Sequence, residues 1–512
     1  MSKSRPFAFT LIASLFAAST AHAGVDLIAK GQISGLIGDL SSETAAPLEN
    51  GAAGNLLGGI GSGMSYAGCN TFVAVPDRGP NAISYNAAID DTASYINRFQ
   101  TLRLQLAAAP ANADLPFVLT PTLTDTTLLH TDDHLVYGSG AAENVPPGAP
   151  KLNRTHHTNY FTGRSDNFDP AHVSTFPLDA RFDPESIRVA NDGDSVFISD
   201  EYGPYIYRFD RRTGQRVDVI KVPSAFAVST LSPVGSTEIS QNMSGRVANK
   251  GMEGLAISPD GKTLFGAMQS PLLQDGGTNG GFTRILRIDL RTGKAQQFAY
   301  PLTNIGTAAK PNFPTISDVV AVNDHVLLMD ERDGHGLGDG SAAAFKKVFR
   351  IDLDDAADVS NTSGNDNLKA LALQKTLFLD VVTVLNQHGI NANDIPAKLE
   401  SLTFGPDITV KGVRKHTLLI ANDNDFVGTV TDSLHPNGVA NPNQFFVFAV
   451  DKSDLPDFVP QHFTGRDRFE DGNSQGHGKA NSCSFVTGGD DDDDQDHGHH
   501  DHGHNGPHHS ND

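Results

Sequence analysis

One layout occurs four times between residues 185 and 454, and a repeat of this kind restricts the fold more than length or composition does. Each copy opens on an acidic residue or just beside one and runs through a short apolar strand. It then turns at Asn, Asp, Gly or Pro, and a second strand carries it to a polar pair. The copies begin at Glu185, Glu253, Asp318 and Glu400, and their second strands end at Asp200-Glu201, Met268-Gln269, Asp330-Glu331 and Asn422-Asp423. A third strand follows in each copy, and the Asp-x-x-Thr-Gly turns starting at Asp210 and Asp289 lead into a fourth. Four antiparallel strands per unit, repeated, is the layout of a propeller blade. The expectation is an all-β chain, a β-propeller of about six blades, with five to seven compatible with the strand count.

A looser copy lies near the start, with strands at Gly63-Met-Ser-Tyr and Thr71-Phe-Val-Ala-Val, and Arg98-Phe-Gln-Thr-Leu-Arg-Leu reads as another strand. Residues 107–181 are rich in Pro and Ala with little periodicity, which predicts inserted loops. Composition agrees with many short strands joined by turns: 50 Gly, 28 Pro, no Trp and 19% charged residues. Residues 1–23 carry Lys3 and Arg5, an apolar run from Phe7 to Ala18 and a small-residue site at Ala21-His22-Ala23, the pattern of an export signal. That run is too short to span a bilayer, so a periplasmic or secreted protein with no transmembrane segment is expected. The propeller then occupies 24–487, and residues 488–512 form an Asp/His-rich tail with nothing to place in a core.

The formal charge is −22, and loss of Lys3 and Arg5 with the signal makes it −24. A surface of that sign gives no support to nucleic-acid binding. The two cysteines, Cys69 and Cys483, sit near opposite ends of the mature chain; in an oxidising compartment they predict one disulfide, two unrelated thiols being the alternative.

In a propeller the innermost strands surround a channel and the turns of all blades gather at its mouths. The acidic residues that open the first strand and the pairs that end the second lie at one edge of each hairpin, so they can face one mouth. Carboxylates so gathered repel unless a cation neutralises them, and calcium takes six to eight oxygen ligands of this type. The unit with Met268-Gln269 lacks its acidic pair, which marks that side as a place for substrate to enter.

At Asp77-Arg78-Gly79-Pro80, Asp183-Pro-Glu-Ser-Ile187, Ile198-Ser-Asp-Glu-Tyr-Gly203, Lys250-Gly-Met-Glu253, Met329-Asp-Glu-Arg-Asp-Gly334 and Leu399-Glu-Ser-Leu402 the chain resembles the phytase-like family described by an esterase-like activity. The resemblance implies an exported propeller. Propeller phytases use calcium ions to bind phosphate and activate water, so it also implies similar work for the acidic ring.

The predicted chemistry is metal-assisted hydrolysis of phosphate or carboxylic esters of small molecules by a monomer. The expected calcium ligands are Asp200, Glu201, Asp330, Glu331, Glu400 and Asp423. Glu185 or Glu253 serves as general base, and Arg78 or Arg332 stabilises the oxyanion. The Gly-rich stretch at 58–65 has the wrong spacing for a nucleophile elbow and reads as a turn, so it does not support a serine hydrolase. A non-catalytic propeller, with structural calcium and a ligand held by its loops, is the alternative. His130, His134, His156 and His157 lack a third ligand at metal spacing and read as loop histidines, while the tail can take up transition metals weakly.

Overall fold

The computed structural model describes residues 24–82, 91–138, 142–145, 153–155, 157–464 and 485–487. Residues 1–23, His156, Cys483 and the tail from 488 lie outside the described residues.

The first strand, β1 (Val25–Ile33), is the only one of its blade that comes from the start of the chain. Blade 1 follows with β2 (Gly63–Tyr66), β3 (Thr71–Val75), β4 (Arg98–Ala108) and β5 (Phe117–Leu128). A small sheet of β6 (His130–Thr131), β7 (Arg154–Thr155) and β8 (Thr158–Tyr160) intervenes. Blade 2 is β9 (Pro184–Val189), β10 (Ser195–Asp200), β11 (Ile206–Asp210) and β12 (Arg216–Ile220). Blade 3 is β13 (Met252–Ile257), β14 (Thr263–Met268), β15 (Phe282–Asp289) and β16 (Ala295–Pro301). Blade 4 is β17 (Thr315–Ala321), β18 (Val326–Arg332), β19 (Lys346–Asp352) and β20 (Lys375–Asp380). Blade 5 contains β21 (Leu399–Val410) and β22 (Val413–Asn422), then, past the hairpin β23 (Thr429–Val430) and β24 (Val439–Ala440), β25 (Asn443–Val450). Here β1 supplies the outer strand, pairing Val25 with Val450 and Ile33 with Asn443.

Five four-stranded blades are thus present among the described residues, one fewer than the six expected. Their innermost strands touch in the cyclic order β2, β9, β13, β17, β21 and back to β2, which closes the ring. The core confirms this arithmetic, because five of its apolar clusters each fill the seam between two adjacent blades. The two-residue period of a strand makes this possible: in β10, Val196 and Ile198 face blade 1 while Phe197 faces blade 3. Within 107–181, read above as loops, β5 completes blade 1. Its Pro121 is tolerated because β5 is an edge strand whose outer N–H groups need no ladder partner.

The last described strand, β26 (Val486–Thr487), lies parallel to the end of β4, and Phe485 packs its ring 6.1 Å from Phe72. The chain end therefore returns to blade 1, whose β2–β3 turn carries Cys69.

Inside the channel, Arg188 of β9 and Asp318 of β17 pair at 2.7 Å. Arg188 also donates to the carbonyls of Met64, Val319 and Leu402 at 2.7, 2.8 and 3.1 Å. Asp318 accepts from the Ser186 hydroxyl and the Leu402 amide, both at 2.9 Å. One ion pair thereby links the inner strands of blades 1, 2, 4 and 5. Replacing Arg188 by Met leaves Asp318 charged and buried, and should cost about 3–5 kcal/mol of unfolding free energy. Chemical denaturation checks this; the double variant Arg188→Met/Asp318→Leu should recover part of the loss.

Candidate functional site

Each inner strand begins at the same end of the channel, and that mouth collects the charged side chains. The turn after β3 places Asp77 and Arg78 there. Gly79 holds φ at +109° with the Tyr95 ring where a Cβ would sit, so the turn needs glycine. Arg78 donates from its backbone N–H and from Nη1 to Asp183, at 3.0 and 3.3 Å. Asp183, Glu185 and Glu201 present carboxylate oxygens within 4.8 Å of one another, all three residues buried. Gly251 lets the next blade approach, since a Cβ there would lie 1.9 Å from the Glu201 carbonyl oxygen.

Glu253 opens β13 beside this triad. Glu201 and Glu253 share a hydrogen bond, which requires one of them to hold a proton, and Glu201 Oε1 and Glu253 Oε2 are buried with no protein partner. Burial, followed by the charge of Glu400, pushes Glu253 up to about 7. Burial and then the Glu253 charge push Glu185 and Glu201 well above the carboxylate range. Lys250 donates to Gln269 at 2.9 Å and lies close to Glu201 and Glu253. The unit without an acidic pair thus contributes a cation to the mouth.

Arg332, the last residue of β18, donates Nε to Ser317 at 2.7 Å, pairs with Glu400 and comes within 4.0 Å of Glu253. Across the ring Asp77, Asp423 and Asp425 form a second set of oxygens within 4.8 Å. Lys398 bridges Asp423 and Asp425 and lies 3.6 Å from Glu400.

The structure therefore brings together Arg78, Glu185, Glu201, Glu253, Arg332, Glu400 and Asp423. It places two expected ligands, Asp200 and Glu331, elsewhere. Asp200 accepts backbone N–H groups from Asp183 at 2.7 Å, from Gly203 and from Tyr205 at 3.1 Å, so it caps the turn after β10. Glu331 faces the seam between blades 3 and 4, where it takes the Tyr300 hydroxyl at 2.6 Å, the Thr303 amide at 3.2 Å and Lys375. Asp330 is buried with both oxygens lacking a protein partner, near Arg332, Asp318 and Lys346, and burial pushes it up to about 8. Asp183, Asp425 and Lys398 join the mouth without having been singled out. Asp183 had a signal, lying two residues before Glu185; Lys398 and Asp425 flank recognised motifs and had none. Neither His130, His134 nor His157 enters a three-ligand group among the described residues.

The donor set fits a hard divalent cation. Each triad offers only carboxylate oxygen, and the unpartnered Oε1 of Glu201 is an acceptor that a cation would satisfy.

Fold and site together define a closed β-propeller with a charged, acid-rich site at one end of its channel. Residues 55–426 match the family model "Phytase-like: Esterase-like activity of phytase", and the chain belongs to that family. The chain is also similar to an uncharacterized secreted protein of Arthroderma benhamiae, 32% identical over an alignment of 270 residues, with 44% of this chain and 46% of that protein covered, so it spans about half the length of the relative it matches. Among solved structures it is similar to the periplasmic gluconolactonase of Pseudomonas aeruginosa (11% identity, 76% of this chain and 88% of that one, TM-score 0.31). It is similar also to the hydrazine synthase of Kuenenia stuttgartiensis (10% identity, 72% and 78% covered, TM-score 0.28). The propeller assignment rests on the chain's own sheets. No helix among the described residues is long and apolar enough to cross a membrane.

Asp179, Asp330 and Glu253 titrate near 8, 8 and 7 in the fold, each raised chiefly by burial. The unfolded chain ionises the same groups near pH 4, so between these limits the folded state binds more protons. The stability they contribute is complete below about pH 4 and is lost as pH rises through 7 to 8. With metals chelated, Tm should rise as pH falls from 8 to 5, measured by differential scanning calorimetry.

Proposed function

We propose that the chain is an exported, calcium-dependent hydrolase of phosphate or carboxylic esters. The observation that carries the reading is the unpartnered, buried Oε1 of Glu201 within the triad of Asp183, Glu185 and Glu201. Asp183, Glu185 and Glu201 would hold one calcium ion. Asp77, Asp423 and Asp425 would hold a second once Lys398 turns away. Bound calcium supplies a polarised ester oxygen and a more acidic water.

Glu253 is then the better candidate for general base, because its pKa of about 7 suits proton transfer at neutral pH and Glu185 is committed to the triad. Arg332, 4.0 Å from Glu253, and Lys250 are placed to bind oxygens of an anionic substrate beside that base. Arg78 orients Asp183 and is a weaker candidate for oxyanion stabilisation. Export rests on the signal pattern of residues 1–23, and the Cys69–Cys483 disulfide is supported by the return of the chain end to blade 1.

The test uses chelated protein titrated with calcium, assayed on an aryl phosphate and an aryl acetate. Turnover should return with calcium on one of the two, which names the ester class. Glu253→Gln should lower kcat by about 100- to 10,000-fold with calcium binding retained. Glu201→Gln should weaken calcium binding by more than about tenfold, the loss that follows even when a supporting group is removed. Full calcium binding with no turnover on either substrate would sink the hydrolase reading and leave a ligand-binding propeller.

A further inference from the structure

At the opposite end of the channel, below the Arg188–Asp318 pair, the inner strands open into a cavity of about 550 Å³. That volume suits a small organic molecule. One wall is aromatic: the Phe404 and Phe458 rings pack at a tilt of 50° with centroids 4.4 Å apart, and the His416 ring lies 4.5 Å from Phe458. The other wall is cationic. Among the described residues Asp407 is the one carboxylate of the lining, and it faces Arg414 Nε at 3.1 Å, His416 Nδ1 at 2.7 Å and Lys452 Nζ at 3.4 Å.

Arg414 and Lys452 keep side chains 72% and 51% exposed, so they can turn towards a ligand without unpacking anything. Arg188 also lines the cavity, and its Nε is a buried donor with no protein acceptor. A buried N–H in that position calls for an acceptor from outside the protein. Arg188 is already paired with Asp318, so the excess positive charge of the site comes from Arg414 and Lys452 set against Asp407, on a chain with a formal charge of −22.

From this geometry we infer a second ligand site, on the face opposite the acidic mouth, that binds a small aromatic anion. Its ring lies on Phe404 and Phe458, and its carboxylate or sulfonate meets Arg414 and Lys452. The Arg188–Asp318 pair separates the two sites, so occupancy here is independent of the triad carboxylates.

The probe is 8-anilinonaphthalene-1-sulfonate, titrated by fluorescence into the full-length, calcium-loaded protein, with benzoate as competitor. Saturable binding to one site, displaced by benzoate, is expected. Arg414→Glu and Lys452→Glu change exposed side chains and should each weaken binding by about tenfold, the loss of one charge-assisted contact. Thr403→Trp, which fills the cavity, should abolish it, whereas Glu253→Gln at the other mouth should leave it unchanged. Unchanged melting temperatures separate these effects from unfolding. The proposal is overturned if the native protein shows no saturable site. It is also overturned if both charge reversals bind the probe as the native protein does, or if the uncharged N-phenyl-1-naphthylamine binds equally well.

Discussion

The inner strands of a ring of blades face a channel rather than another layer, and in this chain they are tied across it. Here the tie is the Arg188–Asp318 pair with its carbonyl, amide and hydroxyl partners on blades 1, 2, 4 and 5. A guanidinium suits the task because its fixed fork of donors can serve several acceptors at once. The pair is buried, and its desolvation is offset only because almost every polar atom finds a partner. With the channel filled at this level, the inner strands cannot slide, and the positions of the side chains at both mouths follow from the register.

The repeat made the inner strands and the mouth legible. Glu185, Glu253 and Glu400 open strands of equivalent position, and a ring brings equivalent positions together whatever their separation in sequence. What the repeat could not resolve was which member of each acidic pair faces the mouth. Adjacent residues on a strand point to opposite faces. Glu331 therefore falls into the seam between blades 3 and 4, while its neighbour Arg332 reaches Glu400. Asp200 is turned to the backbone of its own loop, and Glu201, one residue on, joins the triad.

The outer strands were harder to see for a different reason. β1 pairs with a strand that begins more than 400 residues later, Ile33 opposite Asn443, and no local pattern announces such a partner. β5 has polar threonines on its exposed face and a proline within it, which lowers its contrast with a loop. Missing both strands leaves the blade count to be set by spacing, and long inserts between units inflate that count. The apolar seams give the cleaner measure, since each pair of neighbouring blades must share one.

The two ends of the channel differ in charge because the plug between them is neutral. Arg188 and Asp318 cancel each other, so neither mouth inherits an excess from the middle, and each is set by the residues at its own strand ends. At one end, four cations (Arg78, Lys250, Arg332 and Lys398) face twice as many carboxylates, and the imbalance is held in the fold by protons on groups such as Glu253. At the other end Asp407 alone faces Arg414 and Lys452. A mouth whose burial favours protons on its carboxylates is one that gains from any ligand carrying positive charge, and the same reasoning with the sign reversed applies at the other.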